Sequence, residues 1–276
     1  MTTTLHPPRT VLIGGRAVAV QEYGDGAPLL IINGTSQSLG AWSELATFWA
    51  SRYRVITYDL RGMGGSERGT EPLSIASLAQ DAYDLIEALE LDCPQVLGYS
   101  LGSAVAQELA LAHPERVAAL VLHCTWGRTN GFQRAMLSAL GAPWKSGDLV
   151  TALGALGLAF SPELLDSPDF GALVEQMLPL FPQTAVQIAT TAEQWDADLA
   201  HDALDRLSAI TAPTLVIAGE QDLLTPPSQG RAVADLIPGA RFELLTGPGS
   251  SHALALERMA EYLPLVLGFL DEHAKV

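Results

Sequence analysis

Short apolar segments alternate with amphipathic segments along most of this chain, and this alternation restricts the possible fold more than any other feature. Segments typical of β-strands lie at 11–13, 17–21, 29–32, 54–58, 95–98, 118–123, 214–218 and 241–245. Segments with helical periodicity lie at about 77–89, 101–113, 230–236 and 256–271. Strands that alternate with helices form β–α–β units, so the sequence predicts an α/β fold with a mostly parallel central sheet flanked by helices.

Two local patterns predict how the first elements begin. The pair Gly14-Gly15 separates the first two strand segments and is typical of a tight hairpin turn. Ser77 and Gln80 have the spacing of a capping box, so we expect the first amphipathic helix to begin near Ser77.

The alternation stops near Trp126 and resumes after position 207. Between these points the chain reads as short helices broken by Gly and Pro and rich in Leu, Ala, Phe and Met. The sequence therefore predicts a core made of 1–125 and 208–276, with 126–207 inserted as a helical lid. Ligands of open α/β sheets bind outside the carboxyl ends of the strands, where such an insertion would cover them.

Composition excludes several classes of protein. Of the 276 residues, 48% are hydrophobic and 17% are charged, which is typical of a packed globular domain. The net charge of −16 argues against binding to nucleic acid or to an anionic membrane, since both need clustered Lys and Arg. The N-terminal segment lacks an apolar run of signal-peptide length, so we expect a cytoplasmic protein without a membrane span. Cys93 and Cys124 lie in or beside apolar runs and predict buried free thiols, with no disulfide or metal site.

Ser100 is the candidate nucleophile. The segment Gly98-Tyr99-Ser100-Leu101-Gly102 matches the pattern G-x-S-x-G. The pattern alone is weak, but here it falls where a buried strand ends and a helix begins, as a nucleophile elbow requires. The alternative is a serine that caps an ordinary turn between a strand and a helix.

A serine hydroxyl needs a base to remove its proton, and His252 is the candidate. His252 lies on the Gly-rich loop 247–252, after the last strand segment and before the last helix. A histidine on such a loop is able to reach the serine turn. His123, which ends a buried strand, is the second choice.

Asp222 is the candidate acid that orients the base. It lies in the loop 219–227, directly after the strand at 214–218, and gives the chain order Ser, Asp, His. Glu220, two residues earlier, is the nearest rival. By itself, Asp222 would be read as a turn or helix cap.

Four segments together resemble the α/β-hydrolase fold family over essentially the whole chain. These segments are 59–66 (Asp-Leu-Arg-Gly-Met-Gly-Gly-Ser), 98–102, 219–227 and 249–252. The chain is particularly similar to single-domain bacterial serine esterases, enol-lactonases, cofactor-free haloperoxidases and C–C bond hydrolases. The resemblance implies a hydrolase that needs neither a metal nor an organic cofactor.

The resemblance also implies an oxyanion hole made by the backbone N–H groups of Leu101 and Thr35, with Gly34 as an alternative donor and the Thr35 hydroxyl as a third. Many relatives carry His-Gly where this chain has Asn33-Gly34-Thr35. Asn33 is a candidate pocket residue. Trp126, which follows a strand, either lines the acyl pocket or packs in the core.

Asp59 and Arg61 belong to one of the matching segments. We expect them to form an ion pair that fixes a turn and to have no catalytic role.

The expected reaction is hydrolysis of a small-to-medium apolar ester or lactone through an acyl-enzyme intermediate. The same triad would also serve a C–C bond hydrolase or a haloperoxidase acting by perhydrolysis. Lyase or cyclase activity in natural-product biosynthesis is a further alternative, as is a ligand receptor without turnover. The sequence does not separate these activities.

Overall fold

The computed structural model describes residues 6–274, and the outermost parts of the predicted core, 1–5 and 275–276, lie outside them. The strands are β1 (Arg9–Ile13), β2 (Arg16–Tyr23), β3 (Ala27–Ile32), β4 (Tyr53–Tyr58), β5 (Gln95–Tyr99), β6 (Leu120–His123), β7 (Thr214–Gly219) and β8 (Arg241–Leu245). Within this part of the chain they form one sheet in the order β1-β2-β4-β3-β5-β6-β7-β8. β2 pairs antiparallel with β1 and β4, and all the other pairs are parallel.

Helices cover both faces of this sheet and also form the segment between β6 and β7. They are α1 (Ser43–Trp49), α2 (Ile75–Ala88), α3 (Leu101–Ala112), α4 (Gly131–Ser146), α5 (Leu149–Ala155), α6 (Pro162–Leu165), α7 (Phe170–Met177), α8 (Ala185–Ala200), α9 (Pro227–Leu236), α10 (Leu254–Glu257) and α11 (Met259–Glu272). The predicted fold class, a mostly parallel α/β sheet with flanking helices, is confirmed.

Alternate residues of each central strand belong to opposite cores. In β3, Leu30 and Ile32 pack with α2 and α3 on one face, whereas Leu29 and Ile31 pack with α1 and α11 on the other. All four side chains are fully buried. Burying an aliphatic side chain of this size stabilises the fold by roughly 1.5–3 kcal/mol, which explains why the central strands are apolar on both faces.

The parallel register brings the carboxyl ends of four strands to one edge of the sheet. Ile32 of β3 pairs with Gly98 of β5, and Tyr99 of β5 pairs with His123 of β6. His123 in turn pairs with Ile217 of β7. The turns that follow β3, β5, β6 and β7 are therefore neighbours, although 187 positions of the chain separate Ile32, the last residue of β3, from Gly219, the last residue of β7.

Helices α4–α8 lie between β6 and β7 in the chain and form a small apolar core, to which Leu224 of the loop after β7 also contributes. Its buried members include Leu137, Trp144 and Trp195. α4 and α8 approach closely because position 141 is glycine: a Cβ there would lie 2.9 Å from the Cβ of Trp195. That this segment acts as a separate lid stays a prediction.

Two predicted helix boundaries were wrong. α2 begins one turn earlier, because Ser74 and Ser77 form the capping box, while Gln80 bonds to Asp84. The single predicted C-terminal helix is two helices, α10 and α11, since the backbone leaves helical geometry at Arg258.

Cys124 is buried as expected, but Cys93 is only partly buried. Cys93 lies in the turn before β5, and its thiol contacts the carbonyl of Glu115. Among residues 6–274, no helix combines the length and the apolar character needed to cross a bilayer.

Candidate active site

Ser100 occupies a strained turn between β5 and α3. Its φ of 52° and ψ of −119° lie outside the regions that residues with a Cβ ordinarily adopt. The glycines two residues before and after it are required by space. A Cβ at Gly98 would lie 2.3 Å from the carbonyl oxygen of Gly102, and a Cβ at Gly102 would lie 2.0 Å from that of Ile32. The turn is therefore packed against β3 with no room for larger residues.

His252 lies between β8 and α10, and its ring reaches the serine turn. Its Nε2 is 3.0 Å from Oγ of Ser100, and its Nδ1 is 2.8 Å from Oδ2 of Asp222. The structure thus brings the three candidate residues together, although they are 152 and 30 positions apart in the chain.

The carboxylate of Asp222 is buried and held by its own loop. Oδ1 accepts the N–H groups of Leu224 and Thr225, and Oδ2 accepts the hydroxyl of Thr225. Burial raises the pKa of this carboxyl, but the interaction with His252 and the hydrogen bonds from Thr225 outweigh it, so that the pKa lies below its usual value. Asp222 is therefore ionised and available to hold Nδ1–H of the imidazole.

The rival residues lie elsewhere. Glu220 is exposed and accepts the N–H of Gly247. His123 is fully buried between Tyr99 and Tyr262, with ring centroids 5.0 and 4.9 Å away. Burial, and then His252, lower the pKa of His123 to about 3, so its ring stays neutral.

The loop after β3 supplies candidate oxyanion donors. The N–H of Gly34 is already bonded to Oε1 of Gln37 at 3.0 Å. The hydroxyl of Thr35 donates to Asp198 at 2.7 Å. Among residues 6–274, the N–H groups of Thr35 and Leu101 have no such partner. The geometry favours Thr35 and Leu101 as the donors and argues against Gly34 and against the Thr35 hydroxyl.

A cavity of about 320 Å³ opens onto the serine and the histidine. Its apolar walls come from the 3₁₀ turn and helix after β3, from the segment between β6 and β7, from the loop after β7, and from the start of α10. These apolar lining residues include Trp42, Leu45, Leu156, Phe160, Leu173, Met177, Leu180, Phe181, Leu224 and Leu256. Glu44 is the one acidic lining residue, and no Lys or Arg of the described chain lines the cavity.

Two predicted pocket residues lie away from this cavity. Asn33 is fully buried, and its side-chain amide donates to the carbonyl of Tyr58 at 2.7 Å. Trp126 packs in the core edge-on to His201, with ring centroids 5.5 Å apart. Of the two alternatives for Trp126, lining the acyl pocket or packing in the core, the structure shows packing in the core. Sequence patterns gave no signal for Trp42, which lies in a short 3₁₀ turn, as a wall of the cavity.

The predicted ion pair between Asp59 and Arg61 does not form. Asp59 instead accepts the N–H groups of Leu39 and Gly65 at 2.6 and 2.7 Å. Arg61 makes a two-pronged pair with Asp81 of α2, at 2.6 and 2.7 Å. Asp59 therefore holds the turn at Gly65 against Leu39, and Arg61 joins this segment to α2.

Cys124, Asp222 and His252 place potential metal-ligand atoms within 4.8 Å of one another. The ligand atoms of Asp222 and His252 already bond to each other. Burial raises the pKa of the Cys124 thiol well above its usual value, so the thiol stays protonated and is a poor ligand. The donor set therefore fits the hydrogen-bonded arrangement better than a metal ion.

A parallel sheet with a strained serine turn and a histidine at one edge defines an α/β enzyme scaffold. A family model described as the alpha/beta hydrolase fold matches residues 27–254. The chain belongs to this family.

Three comparisons place the chain within the family. It is 30% identical to a protein of Azorhizobium caulinodans provisionally named carbamate hydrolase RutD, over 94% of this chain and 97% of that one. The crystal structure of BpoC from Mycobacterium tuberculosis, provisionally a non-heme bromoperoxidase, is 28% identical with a TM-score of 0.83, covering 98% and 99% of the two chains. The structure of Est816, described as an N-acyl homoserine lactone degrading enzyme, is 29% identical with a TM-score of 0.79, covering 95% and 100%. The expected similarity to haloperoxidases and hydrolases is confirmed.

Proposed function

We propose that this protein is a serine hydrolase that cleaves a carboxylic ester or lactone, with Ser100, His252 and Asp222 as its catalytic triad. The observation that carries the proposal is the continuous contact from Oγ of Ser100 through His252 to Asp222, at 3.0 and 2.8 Å. Nucleophile, base and acid at hydrogen-bond distance form the arrangement that acyl transfer needs.

The reaction follows from this geometry. Asp222 accepts Nδ1–H of His252, which leaves Nε2 free to take the proton of Ser100 as its Oγ attacks the carbonyl carbon. The N–H groups of Thr35 and Leu101 hold the oxyanion of the tetrahedral intermediate. His252 then returns the proton to the departing alkoxide oxygen. A water molecule, deprotonated by the same imidazole, releases the acid from the acyl-enzyme.

The cavity supports an uncharged, mainly apolar substrate. A carboxylate or phosphate entering it would lose hydration without meeting a Lys or Arg among the described residues. A volume of about 320 Å³ matches a small-to-medium molecule. The described activity of Est816 on a lactone supports a lactone as one form of the substrate.

We also propose that segment 126–207 is a lid. Phe160, Leu173 and Leu180 from this segment line the same cavity as Ser100. Expulsion of water by such a cover strengthens the electrostatic interactions that stabilise the oxyanion.

The proposal is tested by a screen of uncharged p-nitrophenyl esters and N-acyl lactones, with wild-type protein and Ser100→Ala side by side. We expect turnover of at least one class and a loss on the order of 10⁶ in kcat in the variant. Carboxylate-bearing analogues of the best substrate serve as the matched comparison and should react more slowly. A loss of less than about tenfold in Ser100→Ala would show that Ser100 is not the nucleophile.

A further inference from the structure

Helix α8 of the segment between β6 and β7 holds the loop that follows β3. Oγ1 of Thr35 donates to Oδ2 of Asp198 at 2.7 Å. The N–H of Ser36 donates to Oε1 of Gln194 at 2.9 Å. Asp198 and Gln194 are 2% and 0% exposed. Two buried side chains of one helix therefore hydrogen-bond to two successive residues of this loop.

We infer that Asp198, assisted by Gln194, is a positioning residue that sets the place of the Thr35 N–H in the oxyanion hole. The inference rests on the proposed function, because an oxyanion hole has a role only if Ser100 attacks a carbonyl. It gives α8 a part in the chemistry as well as in covering the cavity.

The loop needs such support because its own conformation is unfavourable. Ser36 has a φ of 66°, in the left-handed region that costs a residue with a Cβ about 1–3 kcal/mol. Oxyanion donors act when they lie about 2.7–3.1 Å from the developing negative charge. A displacement of about 1 Å costs on the order of 100-fold in rate. A loop free to relax at Ser36 would carry the neighbouring N–H of Thr35 out of this range.

The chemistry of Asp198 also indicates more than packing. Its Oδ1 has no hydrogen-bond partner within residues 6–274, so Thr35 supplies the one side-chain bond that the carboxyl group makes there. Burial raises the pKa of Asp198 to about 7, and the Thr35 hydroxyl opposes that rise. A buried carboxyl group with so few partners is costly for stability, and such costs are typical of functional sites.

The C-terminal end of α8 is itself fixed. The carbonyl of Asp198 accepts the Thr129 hydroxyl at 3.1 Å and the N–H of His201 at 3.3 Å. Near the other end, the side chain of Gln187 donates to the carbonyl of Gly64 at 3.0 Å. The helix is thus tied to the sheet domain at Gly64 and can transmit a fixed position to Thr35.

The test compares Asp198→Ala, Asp198→Asn, Thr35→Val and the double variant Asp198→Ala/Thr35→Val in the full-length protein. The readouts are kcat and KM for the best ester from the screen, and the inhibition constant of a matched trifluoromethyl ketone. The ketone adds to the serine hydroxyl and places its oxyanion in the hole. Asp196→Asn is the matched control, because Asp196 lies on the same helix, is exposed and pairs with Lys145.

We expect Asp198→Ala and Thr35→Val each to lower kcat about 10- to 100-fold while KM changes less than about threefold. The inhibition constant of the ketone should rise by the same factor as kcat falls. The double variant should be no slower than either single one, since both remove the same hydrogen bond. Asp198→Asn keeps an oxygen that accepts the Thr35 hydroxyl and should retain most of the rate, and Asp196→Asn should match the wild type.

The inference is overturned if Asp198→Ala retains wild-type kcat, or if the two single effects multiply in the double variant. It is also overturned if, in Asp198→Ala, KM rises by the same factor as the inhibition constant of the ketone. If Asp198→Ala does not fold, Thr35→Val and Asp198→Asn carry the same comparison. Failure of the proposed function is recognised separately, because Ser100→Ala would then keep its activity. Loss of activity in Ser100→Ala with no effect at Asp198 contradicts this inference alone.

Discussion

Thr225 donates its hydroxyl to the same carboxylate oxygen of Asp222 that faces the imidazole of His252, at 2.7 Å. The other oxygen of Asp222 accepts two backbone N–H groups, so the carboxylate is held from both sides. A carboxylate that is fully hydrogen-bonded in this way has one orientation, and its hydrogen bond to Nδ1 holds the imidazole ring in one orientation as well.

Replacement of Asp222 by Asn should lower kcat on the order of 10⁴, because the amide would stabilise the wrong tautomer of His252. Glu220→Gln is the matched control, since Glu220 lies two positions earlier in the same loop and its side chain bonds only to the N–H of Gly247 among the described residues. Steady-state kinetics on one ester measures kcat for both variants. Equal losses in the two variants would contradict the assignment of Asp222.

Replacement of Gly102 by Ala should lower the free energy of unfolding by about 3 kcal/mol or more, because the new Cβ would overlap the carbonyl of Ile32. Gly154→Ala is the control. Gly154 lies in α5 with nothing within 4 Å of the added Cβ, so alanine should stabilise the helix by about 0.5–1 kcal/mol. Urea unfolding of the two variants gives the comparison, and similar stabilities would contradict the packing described for the serine turn.

The sequence predicted the strand segments well, and the three residues that it proposed as a triad lie within hydrogen-bond distance of one another, because both predictions depend on local patterns. Buried strands show as apolar runs, and the serine turn needs glycine on both sides. The same approach placed Ser100, Asp222 and His252 after β5, β7 and β8, whose carboxyl ends lie at one edge of the parallel part of the sheet.

Side-chain partners were harder to predict. Arg61 pairs with Asp81, 20 positions away, and not with the neighbouring Asp59. Thr35 pairs with Asp198 across 163 positions. Such contacts depend on how the helices dock on the sheet, and no pattern of spacing records that. The start of α2 was missed because its capping box uses serine at both positions.

His123 should make the protein less stable in acid. Its pKa is lowered to about 3 in the folded state and is near 6.5 in an unfolded chain. Between these values only the unfolded state binds the proton, so stability falls as the pH falls through this window, by roughly 1 kcal/mol per pH unit for this group.

The variant His123→Phe tests this prediction, since neither ring nitrogen has a hydrogen-bond partner in the described part of the chain. The difference in the free energy of unfolding between variant and wild type should grow in favour of the variant from pH 6.5 to pH 4.5. Asp198 and His201 also titrate, but they are present in both proteins, so their contributions to the pH dependence of stability cancel in the difference. Parallel stability profiles would show that His123 titrates normally in the folded state.

The most direct test of the account is covalent labelling of the wild-type protein by a fluorophosphonate, followed by mass spectrometry of its peptides. We predict one adduct, on the peptide that contains Ser100, and a labelling rate that falls on the order of 10³-fold or more in His252→Ala. An adduct at another residue, or labelling of Ser100→Ala as fast as that of the wild type, would contradict the claim that Ser100 is the activated nucleophile.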